Sequence, residues 1–115
     1  MITKKVKLCG KSVTVGMCWG TILSFYNLTG TNIEELDIKH LTPSDVTYLL
    51  LAAITSYYQS RDEEPPIRDT DLLYNAKPKE LVEATIAAVS LYCEFYSVPK
   101  AESKPAKGEE EDGKN

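Results

Sequence analysis

The sequence predicts an α+β fold that is mostly helical, with an N-terminal β-hairpin, three main α-helices and a disordered C-terminal tail. Three observations carry that expectation. Residues 2–15 alternate apolar and polar positions about a turn glycine, three later segments repeat apolar residues at helical spacing, and large apolar residues cease after Pro99. A chain of 115 residues holds one domain. The expected division is a globular unit over 1–98 and a charged tail over 99–115.

The hairpin comes first. Ile2, Lys4, Val6 and Leu8 fall on one face of the first strand, "CGK" (9–11) supplies the turn, and Val13 and Val15 continue the apolar side. Two strands alone are marginal in water, so this face must pack against helix or against another copy.

The first helix is expected over Met17–Leu28, stopped by Gly30. At about 100° per residue, Trp19, Ile22, Leu23 and Tyr26 share one face, while Phe25 and Leu28 point away from it. The first set reads as core and the second as a spare stripe.

"TNIEELDIKHL" is a connector with room for one short turn. "LTPSD" then opens a helix, with Thr42 as N-cap, Pro43 at the first helical position and Asp45 in the first turn. This helix runs to Ser60. Val46, Leu50, Ala53, Ile54 and Tyr57 form its main face, and Tyr48, Leu51 and Tyr58 lie elsewhere on the cylinder.

Two prolines in "SRDEEPPIRD" end that helix, and "DTDLLYN" has the length of a brief helical turn. The last helix, Pro78–Ser97, is apolar over a wide arc, leaving a narrow polar stripe of Lys79, Glu83, Ser90 and Glu94 with Glu80 at its margin. An arc so wide suits a helix that is both central in the fold and shared with a partner. From Pro99 onward, Lys, Glu, Gly and Pro dominate, the composition of a disordered segment.

Composition and charge narrow the function classes. Hydrophobic residues make up 43% and charged residues 26%, the balance of a globular domain. A formal net charge of −4 argues against nucleic acid and anionic membrane as partners. The basic opening lacks the continuous apolar stretch of a signal peptide, and no run approaches membrane-span length. The expected compartment is therefore the cytoplasm. Three cysteines, Cys9, Cys18 and Cys93, are too few for a disulfide framework; Cys18 and Cys93 fall in segments read as helix, so buried, reduced thiols are expected.

The motifs that carry chemistry are incomplete. "GKS" (10–12) shares its letters with the end of a phosphate-binding loop, but Lys5 occupies the position where another glycine is needed. His40 is the single histidine and no CxxC spacing exists, so neither a multi-histidine metal site nor structural zinc is expected. Asp69 and Asp71 read as helix-capping and solvated carboxylates. His40 with Cys9, Cys18 or Cys93 is the one available dyad, and nothing in the spacing supports it. "NLT" (27–29) matches a glycosylation acceptor that a cytoplasmic chain does not use. No cofactor, no metal and no enzymatic activity are expected.

What remains is surplus apolar and aromatic helix surface, including seven tyrosines, two phenylalanines and one tryptophan. Large contiguous apolar patches mark interaction sites. The expected partner-contacting residues are Phe25, Leu28, Tyr48, Leu51, Tyr58 and Tyr96. On that expectation, replacing Phe25 and Leu28 together by alanine leaves the fold intact and weakens partner binding.

The order of elements resembles that of phage tail assembly chaperones. The likeness covers roughly residues 2–98 and rests on the strand pair, the helix ending "FYNLTG" (25–30), the aliphatic "LTPSDVTYLLLAAITSYY" and the last helix opening "KPKELVEA". It implies a non-enzymatic chaperone of a phage or prophage, acting in the bacterial host cytoplasm. Such a protein binds the apolar helical tape-measure protein, keeps it soluble and leaves before the tail is complete. Tail tube protein is a second implied partner, reached in some members through a longer frameshifted form. A homo-oligomer is also expected. The alternative is a small helical adaptor or structural homo-oligomer of a mobile genetic element, using the same stripes permanently.

Overall fold

The computed structural model describes residues 1–96. Strand β1 (Ile2–Leu8) pairs antiparallel with β2 (Lys11–Met17), and helices α1 (Trp19–Thr29), α2 (Pro43–Ser60), α3 (Asp69–Asn75) and α4 (Pro78–Tyr96) follow. Two 3₁₀ turns, Ile33–Glu35 and Ile38–His40, lie in the connector between α1 and α2. The α+β, mostly helical architecture expected from the sequence is the one observed. The proposed tail over 99–115 lies outside the described residues.

The hairpin closes through Cys9 and Gly10, both at positive φ (55° and 76°). That pair of angles matches the right-handed twist of the strands and sets the register Val6 opposite Val13 and Leu8 opposite Lys11. Leu8, Val13, Val15 and Met17 are buried on the apolar side. Lys4 shares that side, and its stem runs out to place Nζ 3.1 Å from Ser90 Oγ on α4.

Alternation alone would leave Thr14 and Gly16 open to water, yet β2 is buried without interruption from Val13 to Met17. Helix α2 covers the free edge of this strand. The Thr14 N–H donates to Tyr58 Oη at 3.1 Å, satisfying a backbone group that the hairpin cannot reach. A Cβ at Gly16 would stand 3.2 Å from Tyr57 Cβ, so glycine permits the close approach.

Helix starts follow local chemistry. Thr42 and Asp45 exchange side-chain and backbone hydrogen bonds at 3.0 and 3.1 Å, with Pro43 at the first helical position of α2. Thr21 Oγ1 accepts the Cys18 N–H at the head of α1 and donates to the Gly16 carbonyl. Gly30, at φ 75°, closes α1 by donating to the Tyr26 carbonyl at 2.7 Å. Asp71 accepts the Arg68 N–H at 2.9 Å and so caps α3.

The core gathers the hairpin's apolar side with Ile22 and Phe25 of α1, Leu49, Leu50 and Ala53 of α2, and Ala84, Ala88 and Leu91 of α4. On α1 the sequence expectation holds for Ile22, which is buried, and Leu28, which is exposed, but fails for the other members of the two stripes. Phe25 is 0% exposed whereas Trp19 is 59% exposed, with Leu23 and Tyr26 also open. The reason lies in Thr21. Its hydroxyl is fixed to the Gly16 carbonyl, which turns Thr21, Ile22 and Phe25 inward and the richer Trp19–Leu23–Tyr26 stripe outward.

Three further residues expected at a partner surface are also drawn inward. Tyr48, Leu51 and Tyr58 are half-buried against the core, and the Tyr58 hydroxyl is committed to β2. Leu28 and Tyr96 are exposed. No helix among the described residues is long and apolar enough to cross a membrane.

Candidate functional site: an apolar groove between α2 and α4

The short side chains Ala84 and Ala88 let α4 press against the core, and this fixes what its other side shows. Val82 and Ile86, each two residues before one of these alanines, are 58% and 64% exposed. Branched apolar residues held this far into water lose the benefit of burial, about 1.5–3 kcal/mol for a fully buried Val or Ile. On a helix already well packed on one side, they leave an apolar patch at the surface.

They border a groove of about 620 Å³. Its floor and walls are Val46 and Thr47 of α2, Leu81, Thr85 and Val89 of α4, and Ile38 and Leu41 from the connector, with Pro43 and Pro78 at the two helix starts. None of the lining residues is charged. The α4 residues run from Pro78 to Val89, roughly 16 Å along the axis, enough to seat about three turns of a partner helix. A groove of this lining offers an apolar helix face shape complementarity and water exclusion, and few hydrogen-bonding groups.

Of the residues singled out by the sequence, the structure brings Cys9 beside Asp71 and gives His40 and Cys18 other partners. His40 is exposed and its Nδ1 lies 2.9 Å from Asp37 Oδ2. The Cys9 thiol donates to the Asp71 carbonyl at 3.3 Å, Cys18 Sγ lies 3.6 Å from Thr21 Oγ1 and is only half-buried, and Cys93, expected to be buried, is exposed on α4. Burial, followed by Glu80 and Asp71, holds the Cys9 thiol above its ordinary pKa, the opposite of what activates a nucleophile. Among the described residues no group of three or more His, Cys, Asp or Glu is placed to hold a metal ion. Of the six residues expected at a partner surface, none lines the α2–α4 groove; Tyr96 lines a second depression, beside α1.

The residues that build the groove were missed because hydrophobicity alone does not say which side of a helix faces in. One signal was available. Ala84 and Ala88, four apart, mark the side where the backbone approaches the core, and Val82 and Ile86 lie on the other side. Comparison with protein-family models, with curated proteins and with solved structures gave no match.

Proposed function

We propose that this protein is a non-enzymatic binding module that shelters an apolar helical segment of a partner protein in the α2–α4 groove. The observation that carries this reading is the uncharged groove bordered by Val82 and Ile86, both more than half exposed. Its length and lining suit a helix presenting apolar anchors at i, i+3, i+4 and i+7.

Within that reading, the resemblance of the element order names the particular task. The protein acts as a tail assembly chaperone in the host cytoplasm, holding the tape-measure protein soluble while tube subunits assemble. Co-expression with whichever neighbouring gene product is long, apolar and helical tests this, and a neighbourhood encoding none refutes it. A soluble, separable, stoichiometric complex that Ile86→Asp abolishes supports the proposal. Failure of the neighbouring protein to be solubilised, or a complex indifferent to Ile86→Asp, refutes it.

A second reading has an observation in its favour. Ile86 projects beside the recess it borders, so two copies related by a two-fold axis can each insert Ile86 into the other's groove. In that adaptor reading the groove closes permanently in a homo-oligomer. Sedimentation equilibrium separates the two, because a groove kept free for a partner leaves Ile86→Asp and the parent with the same mass in solution.

A further inference from the structure

A second depression, of about 390 Å³, lies where the outward stripe of α1 meets the connector and the end of α4. Its aromatic walls are Trp19 and Tyr26 from α1 and Tyr92 and Tyr96 from α4. The last two rings lean together, centroids 5.0 Å apart. Glu34, from the first 3₁₀ turn, is the single charged side chain in the lining. Among the described residues no lysine or arginine pairs with it.

Aromatic faces carry negative potential, and a carboxylate beside them adds a full negative charge. Both features attract a cation, and Glu34, exposed at the edge of the basin, is open to pairing with one that arrives there. We propose that this basin receives a lysine or arginine side chain of the partner protein, held over the Trp19, Tyr26, Tyr92 and Tyr96 rings and paired with Glu34. Tyr92 responds to the same environment. Burial, then Tyr96, then Glu34, which lines the same basin, push its phenol above the ordinary value.

The position of the basin favours a side chain delivered by a partner over a free small cation. Thr85, Val89, Tyr92 and Tyr96 follow one another at i, i+4, i+7 and i+11, a single stripe along α4. Thr85 and Val89 line the apolar groove, while Tyr92 and Tyr96 line the basin. From Val89 to Tyr96 is roughly 10 Å, or two helical turns. A partner helix lying along α4 would reach the basin with a basic residue about two turns beyond its apolar anchors. This inference deepens the proposed function and rests on it for the identity of the partner.

Two probes test it. The first is a synthetic amphipathic helical peptide bearing one lysine two turns from its leucine anchors, compared by calorimetry with the same peptide carrying norleucine instead. The lysine peptide should bind about tenfold tighter, and Glu34→Gln should remove the advantage. Equal affinity of the two peptides overturns the basin while leaving the groove reading intact. If neither peptide binds, the groove reading fails, and the second probe decides the basin by itself.

That probe is tetramethylammonium chloride, followed through the emission of Trp19, the single tryptophan, with sodium chloride as the control for ionic strength. Saturable quenching that Glu34→Gln weakens supports the cation site. Quenching equal to that by sodium chloride, or Trp19 emission that changes only with protein concentration, overturns it. The latter outcome would assign the basin to a second copy of the chain.

Discussion

Glu80 Oε2, in the first turn of α4, accepts the N–H of Gly10 at 3.1 Å, although the two residues are 70 apart in the sequence. Its other oxygen accepts the N–H groups of Cys9 and of Lys77, each at 3.0 Å. One carboxylate therefore caps α4 and holds the hairpin turn against it. The edge of the hairpin nearer α4 and the helix that borders the groove are fixed to each other at this point.

Three donated backbone N–H groups stabilise the ionised form, with the Lys77 amide the largest contributor, and hold the Glu80 carboxyl below its ordinary value of 4.5. A folded pKa below the unfolded one stabilises the protein at pH values above the unfolded pKa, and the contribution disappears as pH falls through the folded value. Glu80→Gln should therefore lower the thermal midpoint at pH 7, and the difference from the parent should close as the pH is taken well below 4.5. Asp71, also held low, chiefly by the Arg68 amide, contributes acid sensitivity to both proteins and cancels in the comparison. A difference independent of pH would show that the ionised carboxylate is not what holds the turn.

Phe25 and Leu28 should behave differently, against the expectation that they form one spare stripe. Phe25→Ala removes a fully buried ring and should cost about 3–5 kcal/mol, measured by denaturant unfolding. Leu28 is exposed, and Leu28→Ala should fall within about 0.5 kcal/mol of the parent. Equal effects of the two substitutions would contradict the orientation of α1.

Much of the fold was legible in the sequence because its signals are local. The hairpin turn, the Thr42–Pro43–Asp45 start and the Gly30 stop depend on residues a few positions apart. The facing of α1 was not legible, because Thr21 turns inward through a bond to the Gly16 carbonyl that forms only once strand and helix are in place. Tyr58 misleads in the same way. Counted as surplus surface, it spends its hydroxyl on an unpaired N–H of β2, a need that exists only in the folded hairpin. The groove arises from the pairing of α2 with α4, and no single helix pattern contains it.

Tyr58→Phe isolates that bond. It keeps the ring and removes the acceptor of the Thr14 N–H, which should cost about 1–3 kcal/mol for a backbone donor left unsatisfied. Amide exchange should quicken at Thr14 more than at the paired amides of β1. Unchanged exchange at Thr14 would show that water replaces the hydroxyl without loss.

Ile86→Asp and Val82→Asp place a charge on the rim of the groove at positions already in water, so each should shift the thermal midpoint by only a few degrees. Each should nevertheless reduce binding of an apolar helical peptide by at least about tenfold, since a carboxylate must then be desolvated at the contact. A large loss of stability in either variant would move these residues into the core and remove the groove's rim.

The most direct test of a helix-binding groove is to map it. Titration of the isotopically labelled protein with a leucine-based amphipathic helical peptide, followed by amide and methyl NMR, should perturb Ile38, Val46, Val82, Ile86 and Val89 first and most. Leu28, on the far side of α1 from the basin, should stay still. Perturbations centred away from the α2–α4 groove, or none at peptide concentrations that saturate known helix-binding grooves, would contradict the account.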